Sequence, residues 1–364
     1  MEEQSIGMCI AIEGANKRAW DQFVDESPQG SIYCKTWWLD AVCPGAYELV
    51  TIRKSGVIRA GIALPLCNDR GLRRVHMPPL TQTLGPLLNP PPADKYASRL
   101  DYEMKLLREL VASIPITDAF FANCSSNFTN WLPFHWAGYA QTTRYSYVFE
   151  NLRDLNEIHA GMTDKARNII RKAERSGIRI EESDDLDSAV DLVRRTYTRQ
   201  GLEFPYDVDL IRRIDLGART NAGRKILFAR DPAGRIHAAV YLVFDRERTY
   251  HVMQGADPEL RSSGAPMLAQ WHAIQFASTA SRNYDLVGSM IEKVERVFRS
   301  LGAVQRPYFS LFRQGRLTLR QIAAMGMTFA RQRLLPGAAL VLYWSSSEPC
   351  GSAAQLILNG ASLP

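Results

Sequence analysis

Apolar residues recur at helical spacing along Tyr96–Ile114. Leu100, Met104, Leu107, Leu110 and Val111 form one stripe, which predicts an amphipathic helix. The same pattern predicts helices over Ala15–Asp25, with Trp20 and Phe23 inward, and from a Thr36 cap through Cys43, ended by Pro44–Gly45. Alternation marks strands instead. Tyr145, Tyr147 and Phe149 alternate with Ser146, Val148 and Glu150, so Arg144–Glu150 carries one aromatic face. Tyr47–Arg53 and Val57–Leu66 flank Lys54–Gly56 and read as a hairpin. Ser31–Tyr33 is extended, Asp118–Ala122 and Trp136–Gln141 are short strands, and Asn127–Leu132 is one helical turn. Met77–Pro92 holds too many prolines for a helix or central strand. It predicts a shaped loop, either lining a cleft or wrapping the core.

The second half has a different rhythm. Asp154 caps a short helix to about Ala160. Thr163 or Asp164 caps a second one, stopped by Gly177, with Ala166, Ile169, Ile170 and Ala173 as its buried stripe. A strand (Ile178–Glu182) and two helices (Asp184–Gln200, Asp207–Ala218) follow, with a polar and aromatic loop between the helices at Arg199–Tyr206. Three strands then come in series: Lys225–Arg230, Ile236–Asp245 and Thr249–Gly255. Such a meander predicts antiparallel pairing. Helix Met267–Ala280, strand Tyr284–Val287, helix Met290–Leu301 and strand Arg306–Phe312 complete a mixed sheet. Where the pairing changes sense, neighbouring strands can splay and open a ligand crevice. Gln314–Arg333 reads as helix, Ala338–Trp344 as strand and Ser345–Pro364 as a loose tail.

A chain of 364 residues is long for one core and predicts two domains. The expected division is 1–150, 151–335 and a tail at 336–364. Hydrophobic content of 46% with 23% charged residues is that of an ordinary globular chain. No run of 18 apolar residues suggests a membrane span, and Met1–Ala15 lacks the pattern of a secretory signal. The six cysteines show no C-x-x-C spacing, so reduced thiols, a cytoplasmic location and no metal are expected. Charge is uneven. Residues 1–150 hold 14 basic and 15 acidic side chains, and residues 151–364 hold 30 and 23. An anionic ligand of the second half fits this balance, as does a solvated basic surface.

Two stretches carry candidate chemistry. R-S-S-G-A-P at Arg261–Pro266 lies between a strand and a helix. A helix start leaves N–H groups unpaired, which together with the helix dipole makes an anion site. Gly264 would let backbone approach a pyrophosphate, although a plain strand–loop–helix connection explains it too. Lys165–Arg179 holds six basic residues and one acidic, with Arg167, Arg171 and Arg175 four apart. Like charges at that spacing cost a helix ~0.2–0.5 kcal/mol per pair. Either an anion covers that face or the helix is simply solvated.

These pieces resemble a known family. The order strand–helix–helix–three strands–helix–strand–helix–strand resembles the GNAT N-acyltransferase superfamily. R-S-S-G-A-P resembles its pyrophosphate motif, with Arg261 and Gly264 matching and Pro266 departing. Six segments in order resemble the Fem-like branch, whose members carry two GNAT-like halves. They are Trp37–Val42, Pro78–Pro86, Lys165–Ala173, Arg199–Leu202, Gly288–Ala303 and Pro307–Phe309. The resemblance implies tandem GNAT-like domains of mixed α/β fold, with the donor site in the second half. It implies transfer of an acyl group to an amine, from acyl-CoA or, as in the Fem-type relatives, from aminoacyl-tRNA. The acceptor would be a small amine or a cell-envelope precursor. A non-catalytic module on the same fold remains the other class of function.

The chemistry implied needs a neutral amine, donors for a tetrahedral oxyanion and two substrates held together. Backbone N–H groups near Met253–Gly255 are the candidate oxyanion donors. Met253, Gly255, Arg261, Ser262, Ser263, Gly264 and Ala265 form the expected donor site. His251 is a candidate base, Ser289 a candidate acceptor or donor contact or a helix cap, and Tyr308 a candidate acid. Lys165, Arg167, Arg171, Arg199 and Tyr206 are candidate substrate contacts. Core or surface roles compete for each of them.

Overall fold

The computed structural model describes residues 14–69, 71–89 and 95–315. The expected helix, strand and tail after Gln314, and the acidic N-terminus, lie outside them. The described residues fall into two compact units. One lies within Met1–Met77, Thr83–Gln141 and Leu311–Gln314. The other lies within Pro78–Gln82, Thr142–Ser310 and Gly315–Pro364.

The first unit opens with helices α1 (Gly14–Glu26) and α2 (Thr36–Val42). Thr36 does not cap α2 as expected. Its N–H and Oγ1–H both donate to Asp21 of α1, at 2.7 and 2.6 Å, so a carboxylate from another helix meets that helix start. Strands β1 (Tyr47–Lys54) and β2 (Val57–Asp69) form the expected hairpin. Two strands were not foreseen: β3 (Leu72–Val75), and β4 (Leu87–Leu88) inside the proline-rich stretch. Helix α3 (Tyr96–Ser113), strand β5 (Ala119–Asn123) and helix α4 (Leu132–Trp136) follow. Of the strand expected at Trp136–Gln141 only Ala140 and Gln141 are extended, as the start of the following strand, because Pro133 opens a helix that runs to Trp136. Strand order in this unit is β1-β2-β3-β5, with β4 on β2.

The expected thiols are free and buried at Cys34, Cys43 and Cys124, whereas Cys67 is disulfide-bonded, a departure from the sequence reading.

The second unit contains β6 (Ala140–Phe149, from Thr142), α5 (Leu155–Gly161), α6 (Asp164–Arg175), β7 (Arg179–Ser183), α7 (Leu186–Arg199) and α8 (Val208–Asn221). Then come β8 (Gly223–Arg230), β9 (Ile236–Phe244), β10 (Arg248–Ala256), α9 (Ala265–Ala280), β11 (Asn283–Asp285), α10 (Glu292–Ser300) and β12 (Val304–Gln314, as far as Ser310). Asp154, Thr163, Asp185 and Asp207 cap α5, α6, α7 and α8 with their side chains. The sheet order is β12-β6-β11-β10-β9-β8-β7. The meander β8–β9–β10 is antiparallel, and β10–β11 is parallel. Helix α9 packs on the core face, where Tyr147, Phe149 and Tyr284 join Leu268, Ala269, Ala273 and Ile274. The aromatic face of β6 is therefore core. Its alternate residue Ser146 points the other way and is buried among polar groups.

Candidate active site

The site forms where two strands stop pairing. β10 and β11 share three residue pairs, ending at Tyr250↔Asp285. β10 continues from His251 to Ala256 with no strand of the described residues on that edge. On its other edge the β9 register shifts between His251 and Met253, a bulge at Val252. The backbone that would have extended β11 turns aside at Val287 (φ 58) and Gly288 (φ 52). A β-branched residue in the left-handed region is strained, by about 1–3 kcal/mol.

Helix α7 backs the far end of β10. A Cβ on Gly255 would lie 2.3 Å from the Leu192 carbonyl carbon, so glycine is needed for helix and strand backbones to touch. Thr196 Oγ1 accepts the Ala256 N–H at 3.0 Å. Met253 and Gly255 are both buried on this stretch.

The turn Arg261–Gly264 departs from the anion-site expectation in one respect. Ala265 N–H donates to Ser263 Oγ at 3.2 Å, and Pro266 has no N–H. Met267 and Leu268 N–H both donate to Gly264 O. The first-turn donors of α9 are thus engaged within the turn. Gly264 (φ 81) serves a different contact: its Cβ would sit 2.8 Å from the Ile169 carbonyl oxygen of α6. What faces solvent here is side chain. Arg261 and Ser262 are exposed, and Lys172 Nζ donates to Ser262 O at 3.2 Å. The basic helix and the motif loop are therefore neighbours.

On α6, Arg167 is tied to Asp164 and to Ala160 O. Lys165, Arg171, Lys172 and Arg175 are exposed and form no ion pair among the described residues. The arginines of α10 differ: Arg296 and Arg299 each pair with a glutamate one turn away. Arg199 is exposed at the end of α7. Tyr206 packs with Tyr197 and Phe204 and shares a 3.3 Å hydrogen bond with the Tyr197 hydroxyl.

The three catalytic candidates do not converge. His251 is buried on the core side of β10, with Nδ1 2.6 Å from Tyr284 Oη. Burial holds it down to about 4, so it is neutral near pH 7. Gln254 reaches Pro266 O and Gln270, whose own Oε1 is buried without a partner. Ser289 closes a local turn by accepting the Ile291 N–H at 3.1 Å, and it does not cap α10. Tyr308 is buried on β12, where burial raises its hydroxyl and nearby Arg144 offsets part of that rise.

Sequence reasoning missed Asp285. This carboxylate ends β11 where the strands part, and it is only 4% exposed. Oδ1 accepts from Ser146 Oγ at 2.6 Å and from Val287 N–H at 2.8 Å. Ser146 Oγ in turn accepts from Gln82 Nε2 at 3.0 Å. Its signal was the alternation that turns Ser146 away from the aromatic face. Among the described residues no three His, Cys, Asp or Glu side chains gather as metal ligands. No described helix is long and apolar enough to cross a membrane.

Residues 162–292 match the model of the acetyltransferase (GNAT) domain. No curated protein matches the chain by sequence. Among solved structures, FemX aligns with a TM-score of 0.62 at 12% identity, over 85% of this chain and 97% of its own. A tandem GNAT protein from the clavulanic acid biosynthesis pathway aligns at 0.50 and 12%, over 85% and 98%. A conserved protein of unknown function from Bacteroides thetaiotaomicron aligns at 0.52 and 12%, over 84% and 98%. Residues 162–292 thus match the GNAT domain model, and the chain has, across most of its length, the fold of FemX and of a tandem GNAT protein.

Proposed function

We propose that this protein is an N-acyltransferase that moves an acyl group from acyl-CoA to an amine acceptor by direct attack. The observation that carries the reading is the open edge of β10 from His251 to Ala256, beside the turn Arg261–Gly264. An acyl group lying along that edge would meet backbone N–H groups near Met253–Gly255, fixed donors for a tetrahedral oxyanion. Arg261, Ser262 and Lys172 supply the polar rim for the anionic part of the donor. The match of residues 162–292 to an acetyltransferase model supports a CoA thioester.

A second donor, aminoacyl-tRNA, is favoured by the cations Lys165, Arg171, Lys172 and Arg175 beside that turn, which form no ion pair among the described residues. The test is a melting screen against CoA, acetyl-CoA and uncharged tRNA, repeated with Arg261→Ala. A CoA user is stabilised by CoA. A tRNA user loses affinity steeply with salt and loses activity on ribonuclease treatment. Arg261→Ala should remove most of the donor-induced shift while leaving the unliganded melting temperature within about 2 °C. If neither donor class binds, the protein is a non-catalytic module on this fold.

A further inference from the structure

We infer that Asp285 binds the acceptor amine, so that the acceptor is a primary ammonium held against Asp285 Oδ2. The inference rests on the acyl-transfer reading for its chemistry, and on a half-satisfied buried carboxylate for its site. Oδ1 is saturated by Ser146 and Val287. Among the described residues Oδ2 makes no hydrogen bond, and its ion pair with Arg248 Nη1 is long, at 3.7 Å. It is not among the sealed polar atoms without partners, so it opens to solvent. A charged oxygen left this way in a residue 4% exposed calls for a donor.

The same chain offers a contrast. Asp215 is 6% exposed, yet both of its oxygens are used. Tyr241 and Arg224 hold Oδ1 at 3.2 and 3.1 Å, and Arg219 holds Oδ2 at 2.8 Å. Asp215 is a finished structural network, and Asp285 is one donor short. Its surroundings are also built to keep it in place. Gln82 fixes the Ser146 hydroxyl, and Val287 fixes the carboxylate through strained backbone.

The position suits attack. Asp285 is the last residue of β11 to pair with β10, so an amine on Oδ2 stands at the head of the open edge. Arg248 beside the ammonium favours loss of its proton, since like charges disfavour the charged form. One N–H bond breaks as an O–H bond forms on Asp285, and the free lone pair attacks the acyl carbon. The C–N bond forms, the bond to the thiol or ribose oxygen breaks, and a second amine proton leaves with that group. Asp285 returns its proton to water.

The deciding experiment is carbodiimide activation of the full-length protein in the presence of glycinamide, with the labelled residues mapped by mass spectrometry. Asp285 should couple glycinamide at least tenfold faster than Asp215, because only its second oxygen is open to attack the carbodiimide, after which the amine attacks the activated carboxyl carbon and expels the urea. Equal inertness of the two overturns the site. In parallel, Asp285→Asn should lower transfer about 100-fold or more. It should leave the donor-induced melting shift unchanged, which a merely structural role would not. Wild-type transfer by Asp285→Asn overturns the catalytic role. Labelling at Asp285 with no donor binding would uphold the amine site and remove the acyl-transfer reading instead.

Discussion

His251 shows why a residue's type says less than its surroundings. On the sequence it is a plausible base at the mouth of the donor loop. In the fold its Nδ1 meets Tyr284 Oη and burial keeps it neutral, so it positions β10 against the core. Its titration carries a stability consequence. The unfolded histidine gains a proton as pH falls below 6.5, while the folded one refuses it until about 4. The stability it contributes is complete above pH 6.5 and drains away towards pH 4, by roughly 3 kcal/mol. Denaturant titrations should show His251→Gln losing less stability than wild type across that window, and parallel curves would contradict this. Asp285 is the opposite case. On the sequence it lies inside the expected strand Tyr284–Val287 and belongs to no motif of its own. Only the pairing of β11 with β6 and β10 brings it to Ser146, and such long-range register is not written in any local pattern.

At the level of elements, helix α6 and strand β10 carry the argument. The excess of positive charge on α6 was legible from spacing alone, and so were its cap and its buried stripe. Its neighbour was not legible. The glycine of R-S-S-G-A-P serves the contact with Ile169, and the first-turn amides are spent within the turn. Replacing Arg171 and Arg175 by glutamine should raise thermal stability slightly, by ~0.2–0.5 kcal/mol, as the like-charge pair is relieved. It should also weaken tRNA binding and flatten its salt dependence by about one unit per lost phosphate contact. An unchanged slope would take α6 out of anion binding. On β10, Gly255→Ala drives a methyl into the α7 backbone at Leu192. A loss of about 3 kcal/mol in chemical denaturation is expected. A neutral effect would mean the helix and strand are not in direct backbone contact.

For the molecule as a whole, the order of elements in the second unit was readable because periodicity, caps and turns agreed. The first unit was less transparent. Short strands such as Leu72–Val75 and Leu87–Leu88 are too brief to show alternation, and proline obscured α4. Burial in that unit has a chemical readout. Cys34 and Cys43 are pushed up to about 11 and 12 by burial, and Cys124 is raised by the same cause. All three should resist a thiol reagent at pH 8 in the native protein and react in strong denaturant. Rapid native labelling of Cys124 would show that the unit opens.

One earlier detail reaches further than its size suggests. Val287 and Gly288 are the two left-handed residues at which the chain leaves its neighbour after Asp285. A torsional detour at those positions keeps the zip from closing. Ordinary extended backbone at those two positions would let the strands stitch together and heal the opening, leaving a sounder sheet without the crevice on which the proposed transfer depends.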